Sequence, residues 1–159
     1  ETAFDGFDVA RVAFYHDGDM DRLLADKGIV RNAAKIKAVI ENARFLQDLA
    51  QEHGSAGAAF ANWPNADYVD LLQLIAKRGS RLGAVTGQRM LRSMGRDSFI
   101  LSPDVTARLI SEGVVDRPPS AQRDMRAVQD AFNIWSAQSG RGLTAISQTL
   151  AFSIDPASA

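Results

Sequence analysis

The residues of this sequence best placed to do chemistry lie between Lys77 and Asp104. Gly79, Gly83 and Gly87 stand four residues apart in the run Gly79-Ser80-Arg81-Leu82-Gly83-Ala84-Val85-Thr86-Gly87. From Lys77 to Arg96 the chain holds Lys77, Arg78, Arg81, Arg89, Arg92 and Arg96 and no Asp or Glu. That is +6 in a chain of formal net charge −1, which leaves −7 for the remainder. Glycine lets a backbone turn tightly and approach another surface closely. A helix that starts just after such a turn has N–H groups without intrahelical partners, backed by the positive end of its dipole, and this arrangement receives phosphate. A basic island in an otherwise acidic chain marks an anion-binding face. The segment Phe99-Ile100-Leu101 follows. After it, Ser102-Pro103-Asp104 reads as a helix start, with Ser102 as cap, Pro103 in the first position and Asp104 in the first turn.

Composition removes several other chemistries. With no cysteine, a disulfide framework, a thiolate nucleophile, an iron–sulfur cluster and a cysteine-ligated zinc are excluded. His16 and His53 are the only histidines, so no metal site is expected. No apolar run approaches the roughly 20 residues of a membrane span, and no signal-peptide pattern is present. The expected compartment is the cytoplasm, and no membrane partner is expected.

The elements that must hold these residues are helical. The 159 residues, 46% of them hydrophobic, suffice for one sizeable core, so a single helical domain is expected over 1–159. The opening, Glu1 to Asp8, brings Phe4 and Phe7 at once and reads as a chain entered partway through an element. Asp8 is expected to cap a short helix with Val9, Val12 and Ala13 inward, and Asp17-Gly18-Asp19 to open the next. The longest helix is expected at about 32–52. Its buried face would be Ile36, Val39, Ile40, Ala43, Leu46 and Ala50. An Ala-rich helix at 56–62 ends at Trp63-Pro64, where Pro64 forces a boundary and Trp63 is expected to pack. The central element then runs from about 68 to 109: a helix over 68–78, the glycine hairpin, a short helix over 88–94, and the helix that Ser102 caps. Ser120 is expected to cap a helix running to Gln138, with Met125, Val128, Phe132 and Trp135 buried. A last helix from Leu143 buries Leu143, Ile146 and Leu150, and Asp155–Ala159 is expected to fray. No convincing strand is present. The fold class is all-α with short connections.

Two helices joined by a Gly-rich hairpin and followed by a capped helix resemble the helix-hairpin-helix element of DNA repair glycosylases. More specific are three runs ahead of it: Phe4-x-x-Phe7-Asp8; Asp19-x-x-Arg22-Leu23-x-x-Asp26-x-Gly28-Ile29-x-Arg31; and Lys35-Ile36-x-Ala38-x-Ile40-x-Asn42-Ala43-Arg44. Together they closely resemble the DNA-3-methyladenine glycosylase I family, with the likeness continuing through Trp63, Lys77-Arg78-Gly79 and Gly95. This resemblance implies a bacterial, nucleoid-associated base-excision enzyme, monomeric and without a cofactor. It would hydrolyse the N-glycosidic bond of 3-methyladenine in alkylated double-stranded DNA. The damaged base must leave the stack to be reached, and a cationic, poorly stacked base costs less to extrude. Gly79, Arg81, Gly83, Val85, Thr86, Gly87 and Arg89 would grip the DNA backbone, with N–H groups from Gly83, Val85, Thr86 and Gly87 and charge from Arg81 and Arg89. Such contacts position and do not read sequence.

The chain departs from the family pattern in ways that bear on chemistry. The superfamily places a catalytic Asp in the loop after the hairpin. Alignment on Ile100-Leu101 puts Ser102 there, with Asp104 two residues on, and these are the candidate catalytic residues. The 3-methyladenine family also lacks that Asp, and its substrate base already carries positive charge. An oxocarbenium-like sugar would then be stabilised by nearby phosphates and dipoles. The family's adenine pocket draws largely on a segment ahead of the position of Phe4, so an N-terminally incomplete chain with half a pocket is expected. The family's Cys/His zinc is excluded by composition. Two other readings stay open: a non-catalytic DNA-binding module using the same hairpin, and a helical interaction domain.

Overall fold

Asp8, His16, Asn32 and Ser102 each turn a side-chain acceptor onto an N–H of the helix that follows. The computed structural model describes residues 1–154, and among these it holds α-helices and short 3₁₀ turns and no strand. The all-α reading stands. Asp155–Ala159, expected to fray, lie outside the described residues. The fold divides into two compact units: Glu1–Asn62 with Ala76–Arg81, and Trp63–Ile75 with Leu82 onward.

The first unit contains α1 (Val9–Ala13), α2 (Asp17–Ala25), α3 (Ala33–His53) and α4 (Ala56–Asn62). Its core is Phe4, Val12, Ala13, Tyr15, Leu23, Ile36, Ile40 and Ala43. Val9, expected inward, is 37% exposed. On α3 the buried face swings from the expected Leu46 and Ala50 to Phe45 and Leu49. The sequence has apolar residues on both of these rows, so periodicity did not separate them. The helix ends at Gly54, whose φ of +80° favours glycine. His16 supplies the cap of α2: its Nδ1 accepts from the Gly18 N–H at 3.1 Å, and Asp19 returns the bond to the His16 N–H at 3.2 Å.

The second unit contains α6 (Ala84–Ser93), α7 (Pro103–Ser111), α8 (Gln122–Ser139) and α9 (Leu143–Phe152). The intervening helix α5 (Tyr68–Arg78) lies in this unit through Ile75 and in the first unit from Ala76 on. Tyr68, Phe99, Phe132 and Trp135 form a chain of rings with centroids 4.8, 4.5 and 5.6 Å apart. The first three are fully buried; Trp135 is half-buried. Ser120 is not a cap: α8 starts at Gln122 with Ala121 as its N-cap and no side-chain bond. Helix α6 starts one turn earlier than its glycines suggested, because Gly87 is accommodated inside the helix.

Candidate functional site

In the first unit, α3 fixes the chain that enters the hairpin. The Arg78 guanidinium donates to both carboxylate oxygens of Glu52, at 2.7 and 2.8 Å, lies 3.8 Å from Asp48 and sits 5.5 Å from the centre of the Phe45 ring. This bidentate pair holds the Glu52 carboxyl below the usual carboxylate range, against desolvation. Nearly three turns before Glu52 on α3, the Asn42 amide faces the hairpin. Its Oδ1 accepts from the Ser80 N–H at 2.7 Å and its Nδ2 donates to the Ser80 carbonyl at 3.0 Å. Gly79 is half-buried beside this clamp. Arg81 is exposed and left-handed, with φ +59°. Arg44 serves elsewhere, donating to the Ala13 and Tyr15 carbonyls at 2.9 and 3.0 Å and tying the end of α1 to α3.

The second unit holds the remaining predicted residues, Gly83 to Arg89. Gly83 is the N-cap of α6, with φ −74° and ψ 170°, and a Cβ there would meet nothing within 4 Å. Gly83 therefore makes no use of glycine's left-handed freedom: that conformation belongs to Arg81 and to Ala84, at φ +48°. Gly87, expected to offer its N–H to DNA, is buried. A Cβ on it would lie 2.5 Å from the Leu82 carbonyl oxygen, so this glycine serves close packing. The Thr86 N–H donates to the Gly83 carbonyl at 3.2 Å. Ala84 and Val85, in the first turn, have no acceptor within their helix. Thr86 and Arg89 are exposed and Val85 is half-buried.

The basic island divides into two sets. Arg78 is engaged by Glu52, Arg92 donates to the Ser98 hydroxyl at 3.0 Å and to the Ser98 carbonyl, and Arg96 donates to the Trp63 carbonyl. Burial lowers the pKa of the Arg92 guanidinium, which marks it as a packed group. Lys77, Arg81 and Arg89 make no ion pair or hydrogen bond through their charged groups among the described residues, and all three are exposed.

The segment from Asp97 to Leu101, which leads to Ser102, is held by side chains in place of a sheet. Asp97 accepts from Leu143 N–H at 3.0 Å, Thr144 N–H at 2.8 Å and Asn65 Nδ2 at 2.8 Å, filling the start of α9. Burial alone would raise this carboxyl, but the donors of Thr144 and Leu143 and the Arg96 charge bring it below the usual range. The Ser98, Ile100 and Leu101 N–H groups go to Thr144 Oγ1, Ser147 Oγ and Gln88 Oε1, at 3.0, 3.1 and 2.7 Å. Sequence reasoning passed over Asp97 and Gln88. Gly142 was the available signal for Asp97, since a Cβ there would come within 2.6 Å of its carboxylate. At the end of this strap the Ser102 hydroxyl accepts from Val105 N–H at 3.2 Å and caps α7, and Asp104 is exposed in the first turn. No group of three or more metal-ligating side chains occurs among the described residues, and no helix among them is long and apolar enough to cross a membrane.

Asn42 and Arg44 thus have geometric tasks, and both lie in the stretch that known proteins share. Residues 1–77 match the methyladenine glycosylase family. Within the chain, 50 residues are 42% identical to DNA-3-methyladenine glycosylase 1 of Escherichia coli (strain K12). That alignment covers 31% of this chain and 27% of the relative, so the chain spans about a quarter of the length of the curated protein it matches. No solved structure matches the chain. The match to the methyladenine glycosylase family takes in α1 to α4 and most of α5 and stops at Lys77, just ahead of the hairpin.

Proposed function

We propose that the protein is a DNA glycosylase that releases 3-methyladenine from alkylated double-stranded DNA, working as a monomer on nucleoid DNA. The family match over residues 1–77 carries this reading. The fold supports it, because Asn42 within that match fastens the hairpin on which Arg81 stands. In this reading the DNA backbone meets Gly79, Arg81, Gly83, Val85, Thr86 and Arg89, with charge from the arginines and donors from the first turn of α6. The extruded base is already cationic and leaves readily as a neutral base. What the protein must add is a dry, polar setting for the developing oxocarbenium ion. Ser102 and Asp104 serve the start of α7. The deciding experiment incubates the protein with methylated duplex DNA and measures free bases: release of 3-methyladenine is expected, and no release overturns the reading.

A second reading, a non-catalytic DNA-binding domain, is favoured by one observation. The loop after the hairpin presents no carboxylate at Ser102, whose hydroxyl is committed to Val105. It predicts salt-sensitive binding to duplex DNA without base release.

A further inference from the structure

We propose that Asn42 is the positioning residue of the hairpin: its amide holds Ser80 from both sides and so aims Arg81 at the DNA backbone. The inference rests on the DNA-binding reading above and names the residue on which that binding depends. A carboxamide is the side chain that both donates and accepts from one planar group, which a carboxylate or an ammonium does not. Asn42 uses both functions on one residue, accepting from Ser80 N–H at 2.7 Å and donating to Ser80 C=O at 3.0 Å. It acts toward Ser80 as a neighbouring strand would, within a protein whose described residues contain no strand. The residue immediately after the clamp is Arg81 at φ +59°. A non-glycine residue keeps such a backbone only where its surroundings over-determine it. Arg78, three residues earlier, is fixed by Glu52, Asp48 and Phe45. The turn is therefore pinned on both sides of Gly79, from four positions of α3, while the Arg81 side chain stays exposed and without an ion pair among the described residues. Packing does not explain Asn42, which is half-buried; its neighbours Ala43 and Phe45 supply the buried apolar surface. A cation carried on a fixed backbone has less freedom to lose when it meets a phosphate, and this favours binding.

The test is a double-mutant cycle with duplex DNA titrated at several salt concentrations, using the full chain as wild type, Asn42→Leu, Arg81→Ala and the double variant. Neither substitution at Asn42 nor its partner in the cycle adds a negative charge. Each single variant is expected to weaken binding about tenfold and to lower the slope of log K against log salt by about 1, the signature of one lost phosphate contact. The double variant is expected to bind within about twofold of the weaker single. Additive losses, or an Asn42→Leu slope equal to the wild-type slope, overturn the proposal, because loss of folded protein alone lowers the apparent affinity and leaves the slope unchanged. Amide hydrogen exchange on the wild type needs no variant: the Ser80 N–H is expected to be protected at least about a hundredfold over a free peptide. DNA binding with a freely exchanging Ser80 amide overturns the clamp alone. A wild type that does not bind duplex DNA overturns the glycosylase reading and the role of Asn42 with it.

Discussion

Ala84 occupies a backbone that suits glycine, and the glycine beside it occupies one that any residue adopts. A left-handed φ costs a residue with a Cβ roughly 1–2 kcal/mol, and Ala84 sits at +48°. Ala84→Gly relieves that strain and loses some chain entropy in exchange, so a net gain of about 0.5–1 kcal/mol is expected, read as a higher denaturant midpoint at unchanged slope. Gly83→Ala is expected to be nearly neutral in the same measurement, since its added Cβ meets nothing. Gly87→Ala goes the other way. Its Cβ would press on the Leu82 carbonyl at 2.5 Å, and the repacking should cost about 1–3 kcal/mol. Asp104 is exposed in the first turn of α7. Asp104→Asn should leave base release unchanged; a loss of a hundredfold or more would make it a catalytic group.

At the scale of elements, the strap from Asp97 to Leu101 decides where Ser102 and α7 begin, and Asp97 is its anchor to α9. Because the folded carboxyl has a lower pKa than the unfolded value near 3.9, Asp97 contributes stability above that value. The contribution is lost as pH falls from about 4 through the folded pKa. Thermal midpoints measured from about pH 6 down to pH 2 should fall less steeply in Asp97→Asn than in the wild type over the acidic part of that range. Parallel curves would show that the charge is not what holds α9. The strap also marks how far the sequence could be read. Helix α5 (Tyr68–Arg78) and the cap Ser102 were legible, because apolar spacing and a Ser-Pro-Asp start are local signals. The partners of Leu101, Ser98 and Ile100 lie 13, 46 and 47 residues away, and no local pattern announces a side chain that accepts across that separation. Glycine misleads at one position: Gly83 does lie in the connection, as the N-cap of α6, whereas α6 runs through Gly87 because two backbones meet there without a side chain between them.

For the whole molecule, the net charge of −1 conceals both the basic island and the fact that half of the island is already used. The same composition would suit a protein that ignores nucleic acid, and only side-chain placement tells which cations remain for a partner. Arg78, Arg92 and Arg96 are bound to Glu52, Ser98 and Trp63, and Lys77, Arg81 and Arg89 are exposed. Counterion release converts this into a number. Each phosphate neutralised on duplex DNA adds about 0.9 to the magnitude of the slope of log K against log salt. Six working cations would give a slope of about −5, and the three open ones give about −3. Titration of duplex DNA between about 50 and 200 mM salt is expected to return the shallower value, and binding should weaken by roughly 40-fold over that range where six contacts would give well over a thousandfold. Arg89→Ala and Lys77→Ala should each reduce the slope by about 1, and Arg92→Ala should leave it unchanged while lowering stability. A slope near −5 would mean that the arginines holding Glu52, Ser98 and Trp63 let go of them to meet DNA.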